Sequence, residues 1–505
     1  MSNVEPLRPS LPVSPREAAL ASARHVAARV VVDGKLQAPP GARTFPVENP
    51  GDESIVSEAA RCSAYDVAWA VESAGRAFAD WSRRPGRERG DLLRRAADRL
   101  EAHSEELARL LALETGNALA TQARPELAGT LEMLRLFAGL GHELKGRTLP
   151  WEADTLAYVA REPLGVVGAI IPWNAPLLLW AAKIGPALVA GNTVVIKSAE
   201  QAPLAVTRAT ELLQEVLPPG VLNAVSGFGE EAGQPLAEHP DVRKVTFTGS
   251  AAVGKQILHY AADKLCPVTL ELGGKSPNVI MDDADLDKVI PGVIVGMRFT
   301  RQGQSCSAGT RIYIHEKVYD EVVSRTAAEL AKLTVGDPLD EQSQMGAIIS
   351  REQFERVTRY VEMARETKGV NIVCGGTRAP HMAKGYYFTP TLIEGVPEHS
   401  PVCRDEIFGP VAILYRFREF DDLLRMANDT DYGLAGAIWT RDLRRALAFA
   451  NRLQAGFVQV NQYIGPRAGL SYGGYKMSGL GREYSLEAML EHFTTTKTVV
   501  VNYAE

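Results

Sequence analysis

The chain has 505 residues and a formal net charge of -6, with 46% hydrophobic and 23% charged residues. This length buries a sizeable core without disulfide or metal staples, and about 150 residues per domain gives roughly three units. The acidic balance excludes a general nucleic-acid binder and gives no electrostatic reason for docking on an anionic membrane.

The first 20 residues contain four prolines and no continuous apolar core. They predict a flexible arm over 1–28 rather than a secretory leader. Residues 64–142 predict helices, because Leu92, Leu93, Ala96, Leu100 and Leu107 recur at helical spacing. Arg83, Arg84, Arg87, Arg89, Arg94 and Arg95 alternate with Glu88, Asp91, Asp98 and Glu101. That alternation is read as a solvated helix face rather than a basic patch.

The most apolar stretch, 164–196, is interrupted by Pro172, Asn174, Pro176, Lys183 and Pro186. It is therefore no membrane span, and a cytoplasmic protein is expected. Short strands at 165–171, 193–197, 222–226, 244–248 and 268–272 alternate with helices at 176–190, 203–217 and from 251 onward. Alternation of this kind predicts a parallel, doubly wound sheet, whose ligands lie beyond the carboxyl ends of its strands. A second series begins with a strand at 278–281. It continues with helix 317–334, strand 407–415, helix 420–428, strand 435–440, helix 442–453 and strand 456–461. The Thr- and Val-rich segment 493–502 reads as a strand without a local partner, suited to pairing with another subunit.

Five cysteines, Cys62, Cys266, Cys306, Cys374 and Cys403, are widely spaced and form no CxxC or Cys/His cluster. A reducing compartment is expected, with neither a disulfide framework nor a metal site. Cys306 differs in its setting, the polar loop FTRQGQSCSAGTR. Partial exposure beside backbone N–H groups would favour its thiolate; an inert buried thiol is the competing reading. Glu271 ends an apolar strand in VTLELGGKSP. Desolvation there would raise its pKa into the range of a general base, unless it pairs with Lys275. Asn174, between Pro172 and Pro176, offers a non-ionisable donor for an oxyanion, or serves a turn. Lys197 and Glu200 in VVIKSAE suit phosphate or ribose contacts, or form a surface ion pair. FTGSAAVG at 247–254 places a helix N-terminus where a pyrophosphate can bind. GFGEEAG at 227–233 only approximates a dinucleotide loop.

Taken in order, IIPWNAP, VVIKSAE, FTGSAAVG, LELGGKSP, GQSCSAGTR, DEIFGPV, NDTDYGLAGAIWT and SYGGYKMSGLGRE resemble the aldehyde dehydrogenase superfamily from about Val32 to Asn502. The resemblance implies an α/β protein of two doubly wound parallel-sheet domains plus a small β oligomerisation element. The first domain, Rossmann-like and NAD-binding, would span 29–144 and 163–273. The catalytic domain would span 274–483, and 145–162 with 484–505 would join protomers into a homodimer or homotetramer.

The same resemblance implies residue roles. Cys306 falls on the nucleophile, Glu271 on the general base and Asn174 on the oxyanion amide, with Lys183 and Glu483 supporting proton transfer. Lys197 and Glu200 fall on the adenosine ribose, the latter favouring NAD over NADP while leaving some NADP use. Ile170, Pro172, Trp173 and Leu272 join the cofactor contacts, as do Gly229, Gly233, Phe247, Gly249, Ser250, Val253 and Gly254. Glu406, Phe408 and Gln353 fall on the nicotinamide side. The substrate pocket would comprise Ala175, Leu179, Ala182, Thr300, Ser305, Ser307, Tyr463, Ile464 and Tyr472, with Pro466 in the same wall. Ala175, Ala182 and Thr300 replace bulkier family residues, which predicts a wide tunnel for a bulky apolar or aromatic aldehyde. Arg301 and Arg467 are expected on the surface; if they faced the tunnel they would instead suit a semialdehyde. Ser471 stands where the family more often has proline, and Glu271 and Cys306 lie one residue further apart than usual. Glu271 disfavours a coenzyme A-acylating relative, and Cys306, Glu271 and Asn174 together disfavour a catalytically silent protein.

Overall fold

The computed structural model describes residues 14–504. Residues 1–13 of the expected arm lie outside that range, and the rest of the arm is corrected. Pro15–His25 is a helix, begun by a capping box between Ser14 and Glu17 with Pro15 in the first turn. Its Ala19 and Ala23 are buried, and it packs on helix Ser104–Thr115.

The predicted helical region resolves into Ala64–Trp81, Gly86–Glu101, Ser104–Thr115 and Arg124–Gly139, with a wide turn at Leu119–Ala123 before the last. Arg89 departs from the solvated-face reading. It is buried, and its Nε donates to the Val189 carbonyl at 2.9 Å. Burial pushes its guanidinium down to about 10.

Two sheets form the scaffold. The first runs in the order Gly479–Leu480, Val268–Glu271, Val242–Thr248, Val166–Ile170, Thr193–Lys197, Leu222–Val225, Val30–Val32 and Lys35–Gln37. The central five strands are parallel, and their buried Val and Ile runs follow from being covered on both faces. The edges are antiparallel, and one comes from the far end of the chain: Glu271 pairs with Gly479. The second sheet runs Asn371–Cys374, Thr391–Glu394, Val411–Phe417, Arg311–His315, Pro277–Ile280, Ala435–Trp439 and Phe457–Val460. Only Asn371–Cys374 is antiparallel within it. The strand expected at 407–415 starts at Val411, because Phe408 is left-handed (φ 58°) and Pro410 has no N–H to donate.

The terminal strand Thr494–Asn502 does have a partner in its own chain. It pairs with Thr155–Pro163 along its whole length, from Thr494 opposite Pro163 to Asn502 opposite Thr155. Arg147–Leu149 completes this three-stranded sheet. The pairing spans over 300 residues of sequence, which is why local reading could not see it. No described helix is long and apolar enough to cross a membrane.

Helix packing brings the site together. Gly185 on helix Pro176–Ala190 faces Phe137, where a Cβ would come within 2.8 Å of the ring. Helix Arg124–Gly139 therefore lies close against the helix that carries Asn174 at its entrance. Burying Phe137 and Trp180 fully adds about 2–3 kcal/mol each. Two buried carboxylates fix the starts of neighbouring helices. Glu126 accepts from the Leu177 N–H at 3.0 Å, and Glu114 accepts from Leu204 and Ala205 at 2.8 and 2.9 Å.

Candidate active site

A cavity of about 860 Å³ opens between the carboxyl ends of both sheets. Its wall includes Asn174, Glu271, Cys306 and Glu406. The glycine pair after Glu271 explains how these groups meet. A side chain at Gly273 would overlap the Glu406 carboxylate, and one at Gly274 would overlap the Cys306 carbonyl. Only glycine lets both loops approach the end of that strand. Lys275 does not pair with Glu271. Its Nζ donates to the carbonyls of Val402 and Asp405 at 2.9 and 2.6 Å, which holds the loop bearing Glu406.

Glu271 is buried, and neither of its carboxylate oxygens has a hydrogen-bond partner. Burial and the charge of Glu483 hold its carboxyl well above the ordinary range, opposed by Lys183 and Arg482. Beneath it, Lys183 and Glu483 form a fully buried ion pair, and Thr246 Oγ1 donates to Glu483 at 3.1 Å. Glu483 reaches this position through reciprocal backbone bonds with Tyr472 at 3.0 and 2.8 Å. Glu406 accepts from the Gly274 N–H at 3.0 Å, yet burial still raises it to about 7.

Of the two readings of Cys306, an exposed thiolate and an inert buried thiol, the surroundings of its sulfur favour the protonated thiol at rest. Its Sγ lies 3.8 Å from Tyr472 Oη. Burial, with Glu406 and then Glu271 adding unfavourable charge, pushes the thiol up to about 12, against the Tyr472 hydroxyl and the Ser307 N–H. In the free protein the thiolate is thus a minor species that gains with pH. Alkylation of Cys306 by iodoacetamide, followed by peptide mass spectrometry, is expected to accelerate about tenfold per pH unit from about pH 7 to 10. A plateau below pH 8 would contradict this electrostatic picture. Cys62 is likewise pushed up to about 12 by burial, and burial raises Cys266, Cys374 and Cys403.

Asn174 directs one side-chain N–H to the Gln304 carbonyl at 3.0 Å. An amide has two N–H donors, so the second is free for an oxyanion. The Asn174 carbonyl is held by Arg301 at 3.0 Å and Asn117 at 3.4 Å. Asn174→Ala is expected to lower kcat about 100-fold in steady-state assays, with a smaller change in KM. An unchanged kcat would remove Asn174 from the chemistry.

The cofactor side forms a continuous wall. Pro172, Trp173, Leu272, Gln353, Glu406 and Phe408 line the cavity, as do Thr248, Gly249 and Ser250. Trp173 and Phe408 meet edge to face at 5.3 Å. Gln353 Nε2 donates to the carbonyls of Ile407 and Phe408, so it holds the loop. Ser250 caps helix Ala251–Ala262 by accepting from the Val253 N–H at 3.3 Å, and Ala251 and Ala252 also line the cavity. The wall can take a dinucleotide, with Thr248 Oγ1 left without a partner on it; outside the wall, Ser198 Oγ also lacks a partner, and added side chains at Gly229 and Gly233 would meet only open space.

Lys197 is buried, with Nζ 3.5 Å from Glu200, and burial lowers its pKa. The remaining cofactor assignments stand outside the cavity wall. Gly254 permits close packing of its helix on Leu272, and the Phe247 ring fills the space beside Gly249. Ile170 and Val253 lie in the elements behind that wall, at the end of a strand and in the first turn of a helix.

On the substrate side, Ala175, Leu179, Ser305, Ser307, Pro466 and Tyr472 line the cavity. Four assignments are corrected. Ala182 is buried in the core between helices. Thr300 Oγ1 accepts from Gln122 Nε2 at 2.6 Å instead of facing the cavity. Tyr463 donates to the Ser307 carbonyl at 2.9 Å and packs against Gly296 and Gly309 behind the nucleophile loop. Ile464 lies beyond the wall, its N–H and carbonyl held by Gln459.

Other wall residues were not singled out in sequence: Gln122, Glu126, Met133, Leu178, Arg298 and Tyr484. The usable signal was a carboxylate, Glu126, inside an otherwise apolar helix face. Arg301 is no surface residue. It faces the cavity, bonds Gln122 Oε1 at 2.9 Å and lies 3.5 Å from Glu126.

The chain is similar to known proteins over nearly its whole length. The model of the Aldehyde dehydrogenase family matches residues 37–499. An aldehyde dehydrogenase of Davidiella tassiana is 41% identical over 466 residues, covering 92% of this chain and 93% of its own. A mitochondrial benzaldehyde dehydrogenase of Antirrhinum majus is 40% identical over 476 residues, covering 94% and 88%. The NAD+ complex of an aldehyde dehydrogenase from Bacillus cereus superposes with a TM-score of 0.93 at 37% identity, covering 100% of both chains.

Proposed function

The chain belongs to the aldehyde dehydrogenase family and oxidises an aldehyde, and we propose that it does so with NAD, by way of a thioester on Cys306 that water hydrolyses to the acid. The observation that carries this reading is the convergence of Cys306, Asn174 and an unpartnered Glu271 carboxylate on one cavity.

Cys306 loses its thiol proton to solvent, and its thiolate Sγ adds to the aldehyde carbon, forming a hemithioacetal oxyanion. Asn174 donates its free N–H to that oxygen. NAD, when bound along the Trp173–Phe408 wall, supplies the acceptor for the hydride that leaves as the thioester forms. Glu271, raised by burial, then takes a proton from the attacking water. The thioester carbon gains hydroxide, and Cys306 departs as thiolate and recovers its proton. Lys183 and Glu483 hold the buried charge beneath the base. Glu200 beside Lys197 disfavours a ribose 2′-phosphate, which supports NAD over NADP.

The substrate is a bulky aldehyde with a largely apolar or aromatic body. Ala175, Leu178, Leu179, Met133, Tyr472 and Tyr484 line its side of the cavity. The likeness to the Antirrhinum majus benzaldehyde dehydrogenase supports the same reading.

We assign 29–144 and 163–273 to the cofactor unit and 274–483 to the catalytic unit. The sheet formed from 145–162 and 484–505 would join subunits of a homodimer or homotetramer in the cytoplasm, where free cysteines stay reduced. Leu156, Val500, Val501 and Tyr503 are exposed on that sheet. A double change Val500→Glu, Val501→Glu is expected to shift the mass in light scattering from a multiple of 54.7 kDa to the monomer. A wild-type monomer would contradict the assignment.

The test is NADH absorbance across an aldehyde panel, with and without coenzyme A. Benzaldehyde-like substrates are expected to exceed short aliphatic ones in kcat/KM without coenzyme A. Dependence on coenzyme A would indicate the acylating chemistry, and no NADH from any aldehyde would indicate a silent protein.

A further inference from the structure

Arg298 lines the same cavity as Cys306 and Tyr472. Its neighbour Arg301 is satisfied by Glu126, Gln122 and the Asn174 carbonyl. Arg298 has no ion pair or side-chain hydrogen bond among the described residues, and one terminal nitrogen is fully buried without a partner. That nitrogen lies under the loop 465–468, so close to Gly465 that a Cβ there would sit 2.9 Å away. The backbone of Arg298 is left-handed (φ 60°), an unfavourable state for a long side chain, as is that of Gln302 (φ 52°). The short turn Phe299–Arg301 between them leads straight to the nucleophile loop. Burial and the charge of Arg301 both lower the pKa of Arg298.

A half-buried guanidinium with no anion and one fully buried, unpartnered nitrogen is costly and is normally paired. Strain kept at such a residue points to a use. Arg467, exposed in the loop above, adds a second cation at the cavity wall.

Resting on the aldehyde dehydrogenase reading above, we propose that Arg298 is the anchor for a carboxylate on the substrate, so that the physiological aldehyde is a bulky semialdehyde. A guanidinium presents paired N–H donors that match a carboxylate. The apolar residues of the same wall would hold the body between the two polar ends.

The test compares 4-carboxybenzaldehyde with 4-methylbenzaldehyde, using NAD and the full chain. Wild type is expected to prefer the carboxylate in kcat/KM by about tenfold or more, and Arg298→Met to bring the ratio near one. Arg298→Lys should give an intermediate ratio. Equal use of the two aldehydes by wild type, or an unchanged ratio in Arg298→Met, overturns the anchor while leaving the dehydrogenase reading intact. Absence of NADH from every aldehyde would instead overturn that reading. Should Arg298→Met fail to fold, inhibition of wild type decides. Terephthalate is expected to bind about tenfold more tightly than 4-methylbenzoate, and equal inhibition overturns the anchor.

Discussion

Cys306→Ala is expected to lower kcat by about a million-fold, to the limit of detection in NADH assays, while the melting temperature stays within a few degrees. The size follows from the nucleophile's place in the sequence of steps. Without Sγ there is no hemithioacetal, and hydride would have to leave a hydrated aldehyde with no covalent partner. Asn174 and the cavity would still bind the carbonyl, so KM should move far less than kcat. Stability should hold because the side chain is small and, among the described residues, its side-chain hydrogen-bond partner is the Tyr472 hydroxyl at 3.8 Å. Turnover within tenfold of wild type would show that another group carries the chemistry.

Glu271→Gln is expected to reduce steady-state kcat about 1,000-fold or more while leaving one rapid turnover per site. The amide keeps the shape of the carboxylate but cannot accept a proton from water. Acylation therefore proceeds and hydrolysis stalls, so NADH appears as a burst of about one equivalent. The pH dependence has a definite sign. Burial raises the Glu271 pKa, so below that raised value the carboxyl is protonated and cannot act as base. Wild-type deacylation should rise with pH through that value and level off above it, and Glu271→Gln should lose this limb. The variant should fold at least as well as wild type, since neither carboxylate oxygen has a partner to lose. Loss of the burst together with the steady rate would move Glu271 into the first step.

Much of this site was legible in the chain, for a physical reason. Asn174, Glu271 and Cys306 each sit where a strand or helix gives way to a loop, and the adjacent glycines and prolines mark those turns. The roles of Gly273 and Gly274, by contrast, depend on Glu406 and Cys306 arriving from over 130 and over 30 residues away in the chain, respectively. Arg301 looked like a surface arginine because its neutralising partner, Glu126, belongs to a helix some 175 residues earlier. Cys306 could be read as a poised thiolate or an inert thiol because only its polar loop was visible in the sequence. The opposing carboxylates of Glu406 and Glu271 are brought to it only by the fold. The terminal strand likewise hid its partner, Thr155–Pro163, behind the length of both domains. Tyr463 shows the reverse error: the family resemblance suggested a wall residue, but its hydroxyl donates to the Ser307 carbonyl behind the nucleophile loop.

The most direct test is the intact mass of Glu271→Gln protein quenched during the NADH burst. The mechanism predicts a mass increase equal to the acyl group of the aldehyde, mapped to Cys306 and removable by hydroxylamine, and absent from Cys306→Ala. Unmodified Cys306 in protein that has already released one equivalent of NADH would contradict the thioester.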